Sequence, residues 1–124
     1  MENQLRVDGT NDKPTIHFEK DSGLLKISGR SLPEDAFSYY KPIIDWVSEY
    51  LLSPANKTTL IINLEYFNTA SAKQLFKIIS LIHDLGAKFD VQIQWHYDKG
   101  DRDMLNSGER FSKLCARPFE FIEN

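Results

Sequence analysis

The stretch Thr58-Thr59-Leu60-Ile61-Ile62-Asn63-Leu64-Glu65 runs straight into Tyr66-Phe67-Asn68-Thr69-Ala70-Ser71-Ala72-Lys73-Gln74-Leu75. Its first part alternates Leu60, Ile62, Leu64 and Tyr66 against Ile61, Asn63, Glu65 and Phe67, the two-residue period of a strand. From Ala70 the period changes. Leu75, Ile78, Ile79 and Ile82 recur at three- and four-residue steps, which predicts a helix ending near Gly86, a good residue for the position after a helix. Parallel α/β sheets gather functional groups where a strand ends and a helix begins, because loops there stand on a rigid base. This junction carries Asn68, Thr69 and Ser71. Asn68 or Thr69 can cap the helix by accepting a bond from an otherwise orphaned N–H. The free N–H groups and the helix dipole also favour an anion there. Thr69 therefore has two readings, a structural cap or a hydroxyl that can carry a phosphate without wrecking the fold.

Working outward, Thr15–Lys20 and Leu24–Arg30 flank Asp21-Ser22-Gly23 and read as a β-hairpin with Ile16, Phe18, Leu25 and Ile27 inward. Residues 1–13 are polar and turn-rich, which suggests a flexible N-terminal arm ahead of a single domain over 14–124. Ser31-Leu32-Pro33-Glu34 has the form of a capping box. The helix after it presents Phe37, Tyr40, Ile44, Val47 and Leu51 on one face, with Trp46 off the stripe as core filler; Pro42 should kink it, or the regular helix restarts near Tyr40 after a looser first turn. Phe89–Tyr97 is a further strand, Asp101–Cys115 a helix weakened by Gly108, and Phe119–Ile122 a short edge strand.

Strand, helix, strand, helix implies parallel pairing through right-handed crossovers. Asn63, Glu65, Gln92, Gln94 and His96 nevertheless give the strands a polar second face, unlike strands covered on both sides. The expected fold is α/β: a mixed sheet of four to five strands with its helices mainly on one face. The other face is then solvated or holds a partner.

The 124 residues suit one compact domain. A net charge of -3 with no Lys/Arg run argues against nucleic-acid binding. Cys115 is the single cysteine, so neither an internal disulfide nor a cysteine-built metal site is available. No phosphate-cradling glycine loop occurs, and His17, His83 and His96 lack metal-ligand spacing. No cofactor, metal or membrane span is expected, and the chain reads as a soluble cytoplasmic protein. One enzymatic arrangement merits weighing: Thr69, His96 and Asp98 at a shared sheet edge as nucleophile, base and orienting acid of a hydrolase. Threonine is a poor default nucleophile, and no oxyanion motif accompanies it.

Leu32-Pro33-Glu34-Asp35, Ile44-Asp45-Trp46-Val47, Leu64 through Lys73, and Trp95-His96-Tyr97-Asp98 together resemble the SiaC-type family of bacterial regulatory phosphoproteins. That family is similar to the STAS-domain anti-sigma-factor antagonists, and the resemblance runs from about residue 14 to 122. It implies a STAS-like, non-enzymatic domain. Its threonine, here Thr69, would be phosphorylated by a Ser/Thr kinase of the anti-sigma-factor type and dephosphorylated by a PP2C-like phosphatase. The unphosphorylated form would bind and activate a diguanylate cyclase, placing the chain in cyclic di-GMP signalling and biofilm or aggregation control. Ala70 stands where the family often has serine, which leaves Thr69 and Ser71 as the hydroxyls of the element. Asn68, Ser71, Lys73, Phe76 and Lys77 are the expected partner contacts. A related alternative is a partner-switching antagonist with no cyclase target.

Overall fold

A computed structural model describes all of residues 1–124. Six strands, β1 (Gln4–Val7), β2 (Thr15–Glu19), β3 (Leu24–Ser31), β4 (Lys57–Phe67), β5 (Asp90–Tyr97) and β6 (Glu120–Glu123), form one sheet in chain order. The first three are antiparallel, and β3 through β6 are parallel. Each parallel connection is a helix: α1 (Ala36–Tyr50), α2 (Thr69–Leu85) and α3 (Arg102–Cys115). Successive right-handed crossovers that add strands in one direction leave their helices on the same face. The inward residues of the sheet and of all three helices accordingly join one core.

The mixed sheet and one-sided helices agree with the expectation, but there are six strands rather than four to five. The added strand lies in the segment expected as a flexible arm. Leu5 and Val7 face Phe18 and Ile16 across the pair, extending the apolar face by one strand. Trp46 anchors the same end: its ring stacks on Tyr50, tilts against Phe18, and its Nε1 donates to the Glu2 carbonyl at 3.2 Å.

α1 departs from its expected face. The buried residues are Ala36, Tyr40, Ile43, Trp46, Val47 and Tyr50, while Phe37 is left outside. The two tyrosines turn inward because their hydroxyls find partners, Tyr40 with Ser31 and Tyr50 with Thr58, each at 2.7 Å. Ser31 does not cap this helix. Asp35 does, accepting from the Ser38 N–H at 3.1 Å. The helix runs on through Pro42, whose missing donor frees the Ser38 carbonyl on the exposed side. α2 ends at Leu85 with Gly86 following it, as expected, and Gly86 has ordinary right-handed backbone with φ at -63°. A Cβ there would meet the Arg117 guanidinium, the end of a flexible side chain, and the His83 carbonyl at 3.0 Å.

Near its C-terminal end β4 carries a bulge. Gly29 pairs with Leu64 but Arg30 pairs with Tyr66, so Glu65 is an extra residue and the inside–outside alternation reverses beyond it. Phe67, expected on the polar face, therefore packs with Trp95 and Phe111. Gly29, with φ at 96°, supplies the partner strand's unusual backbone.

Candidate functional site

The β4–α2 junction is held from three sides. Asn68 closes β4 with extended backbone, and its Oδ1 accepts the Ser71 N–H at 2.8 Å as the cap of α2. Its own N–H donates to the Ser31 carbonyl at 3.0 Å, tying the turn to the end of β3. Beneath it runs a buried chain of hydroxyls. Ser71 Oγ donates to the Ser31 carbonyl at 3.0 Å, and Ser31 Oγ donates to Ser71 Oγ at 2.8 Å. With that proton committed, Tyr40 is the donor in its 2.7 Å contact with Ser31 Oγ. Burial pushes the Tyr40 phenol well above its ordinary range, so it keeps the proton this chain requires.

Thr69 is the first residue of α2 and is exposed. Capping falls to Asn68, so Thr69 is not needed to close the helix. A phosphoacceptor must reach another enzyme's active site. Thr69 meets that requirement and Ser71 does not, being wholly buried. Ser71 was expected as a partner contact; its hydroxyl is instead spent inside the domain, where the chain to Ser31 would otherwise break. Phe76 is half-buried and stacks on Phe111 at 5.9 Å, so most of that ring belongs to the α2–α3 packing. Lys73 and Lys77 are exposed, as expected, and Asn68 is half-buried.

Sequence reading placed Phe37 in the core. It is 59% exposed, with Lys77 Nζ 5.4 Å from its ring centre. A signal was present in the spacing: Tyr40, Ile43, Val47 and Tyr50 make an equally regular stripe that omits Phe37.

The hydrolase arrangement does not assemble. β4 and β5 pair Ile62 with Trp95, which sets His96 alongside Asn63, six residues short of Thr69. Four of those steps, Asn63 to Phe67, continue β4 at about 3.3 Å each, so Thr69 stands more than about 10 Å farther along. The His96 ring instead contacts Asn124 Oδ1 at 3.1 Å and Gln94 Oε1 at 3.4 Å. Asp98 accepts from the Asn124 side-chain amide at 3.0 Å, which also reaches Asn63. The hollow beside the end of β4, about 200 Å³, is walled by Glu65, Asp101 and Asp103, a poor setting for a developing oxyanion. No His, Cys, Asp and Glu side chains cluster in threes to hold a metal ion. No helix is long and apolar enough to cross a membrane.

Comparison with known proteins gives a consistent result. Residues 7–124 match the family described as SiaC family regulatory phosphoprotein. An uncharacterised protein of Pseudomonas aeruginosa strain UCBPP-PA14 is 31% identical over 117 residues, 93% of this chain and 92% of that protein. Among solved structures, SiaC of Pseudomonas aeruginosa superposes with a TM-score of 0.88 at 28% identity, covering 99% of this chain and all (100%) of SiaC. The crystal structure of the diguanylate cyclase SiaD in complex with its activator SiaC, from the same organism, contains an equally similar chain. There the TM-score is 0.88 at 29% identity, over 97% of this chain and 99% of that one. The match spans the sheet, all three helices and the Thr69 junction, and on it the chain belongs to the SiaC family of regulatory phosphoproteins.

Proposed function

We propose that this protein is a non-enzymatic, cytoplasmic switch that binds and activates a diguanylate cyclase while Thr69 is unmodified and releases it when Thr69 is phosphorylated. The observation that carries this reading is likeness over nearly the whole chain to SiaC, including SiaC as crystallised with the cyclase it activates. The geometry of the junction supports the choice of Thr69. Thr69 is an exposed residue at the start of a helix, and the capping and hydroxyl bonds around it do not depend on its side chain. A Ser/Thr kinase of the anti-sigma-factor type would transfer the γ-phosphoryl group of ATP to Thr69 Oγ1, releasing ADP. A PP2C-like phosphatase would hydrolyse it off again.

Phosphorylation adds about -1.5 to -2 charges and three acceptor oxygens. At a helix N-terminus the fold accommodates that charge. A partner surface packed on Asn68, Thr69, Lys73 and Lys77 would instead face added bulk and a charge it must desolvate. The test is incubation with the kinase and ATP followed by mass mapping of wild type and Thr69→Ala. Wild type should gain one phosphate, on the peptide holding Thr69, and the variant none. A phosphate found on another residue, with Thr69 unmodified, overturns the assignment.

A further inference from the structure

Thr69, Lys73 and Lys77 follow one another at four-residue steps, so they share one exposed stripe of α2. Among the lysines and arginines, only Lys41, with Asp45 at 3.0 Å, and Arg30, with Glu65 at 4.0 Å, pair with a carboxylate. No carboxylate lies within ion-pair distance of Lys73 or Lys77. Beside the stripe stands Phe37, more than half exposed, with the Lys77 ammonium over its ring. In a chain of net charge -3, two unpaired ammonium groups next to a bare phenyl ring make a small cationic, aromatic surface. The surface that complements it carries carboxylates beside an apolar side chain.

We propose that Lys73 is the contact shared by the two states of the switch. In the unmodified chain its ammonium pairs with a carboxylate on an acidic, partly apolar segment of the cyclase, and Phe37 and Lys77 seat the remainder of that segment. In the phosphorylated chain the same ammonium pairs with the phosphate on Thr69. An anion one turn N-terminal to a lysine is the favourable orientation for such a pair, and the phosphate is always within reach, whereas the partner must be bound from solution. Phosphorylation then removes a cation from the docking surface and sets an anion against the partner's carboxylates, and both effects weaken the complex. This inference rests on the cyclase-binding role proposed above.

The experiment titrates purified diguanylate cyclases of the source organism with unmodified wild type, Lys73→Ala, Lys77→Ala, Phe37→Ala and, as a control on the open sheet face, Lys26→Ala. Lys73→Ala and Phe37→Ala should each weaken binding by about tenfold or more, and Lys26→Ala should change it less than about twofold. Raising the salt concentration should weaken wild type more than Lys73→Ala. If no cyclase binds wild type, the functional reading fails and this inference with it. If wild type binds and Lys73→Ala binds equally well, the function stands and the shared contact is wrong. A second readout needs no partner: with phosphothreonine incorporated at position 69, ³¹P NMR should show the phosphate titrating at lower pH in the wild-type background than in Lys73→Ala. Coincident titration curves overturn the intrahelical pair.

Discussion

Gly108 illustrates how a residue's role can invert between sequence and structure. Within a helix glycine reads as a weak point, and replacing it by alanine at an exposed site would stabilise by about 1 kcal/mol. Here α3 lies so close to the sheet that a Cβ on Gly108 would sit 2.5 Å from Trp95 Cδ1 and 2.6 Å from Cγ. The indole cannot retreat freely, because it is wholly buried and its Nε1 donates to the Met104 carbonyl at 2.9 Å. Gly108→Ala should therefore destabilise the protein by about 1–3 kcal/mol, the usual cost of overfilling a packed site. Urea denaturation checks the sign as well as the size; a stabilised variant would show that α3 has room to move. Nothing local to α3 announces this role, since Trp95 arrives from another element. Phe37 was illegible for a related reason. Its apolarity fits the helix period, and Tyr40 and Val47 serve either stripe; it is the hydroxyl of Tyr50, paired with Thr58 at 2.7 Å, that favours the stripe without Phe37.

At the scale of elements, the strand-to-helix change at Asn68 was legible because two different periods meet there within a few residues. The bulge at Glu65 was not, because it depends on how Gly29 and Arg30 pair from the neighbouring strand. The strand Gln4–Val7 holds only two inward residues, too few for a period to declare itself. The start of α1 was likewise misplaced: the capping box was read at Ser31, and the fold caps the helix with Asp35. Its carboxylate accepts from Ser38 Oγ at 2.8 Å and from the Ser38 N–H at 3.1 Å. Those two bonds, the side-chain one foremost, hold its pKa below the ordinary 3.8. A pKa lowered on folding means the carboxylate stabilises the folded state above the ordinary value, and that contribution is lost as pH falls through the lower folded value. Wild type should exceed Asp35→Ala in stability at neutral pH, with a gap that stays constant down to about pH 5 and narrows below it. Denaturation curves at a series of pH values test this, and a gap independent of pH would remove the carboxylate from the account.

Across the whole molecule, the sheet divides labour between its faces and its edges. Three helices bury one face in a single core. The other is a polar surface with side-chain bonds of its own, such as Gln4 to Glu19 and Asn124 to Asn63. Thr69, the proposed switch residue, sits beyond the C-terminal end of β4 as an exposed residue supported by buried ones, so a charge there would alter what binds without loosening what folds. Thr69→Asp tests that separation. Asp in the first turn of a helix interacts favourably with the dipole by about 0.3–1 kcal/mol. The melting temperature should then hold or rise by up to about 4 °C for a domain of this size. Cyclase binding should fall by about tenfold or more, since the added carboxylate faces the partner and competes for Lys73. Calorimetric melting and titration of the same preparation measure both quantities. A drop in melting temperature of several degrees accompanying the loss of binding would mean that the charge acts by disrupting the hydroxyl chain among Ser71, Ser31 and Tyr40, and that the fold itself is the element being switched.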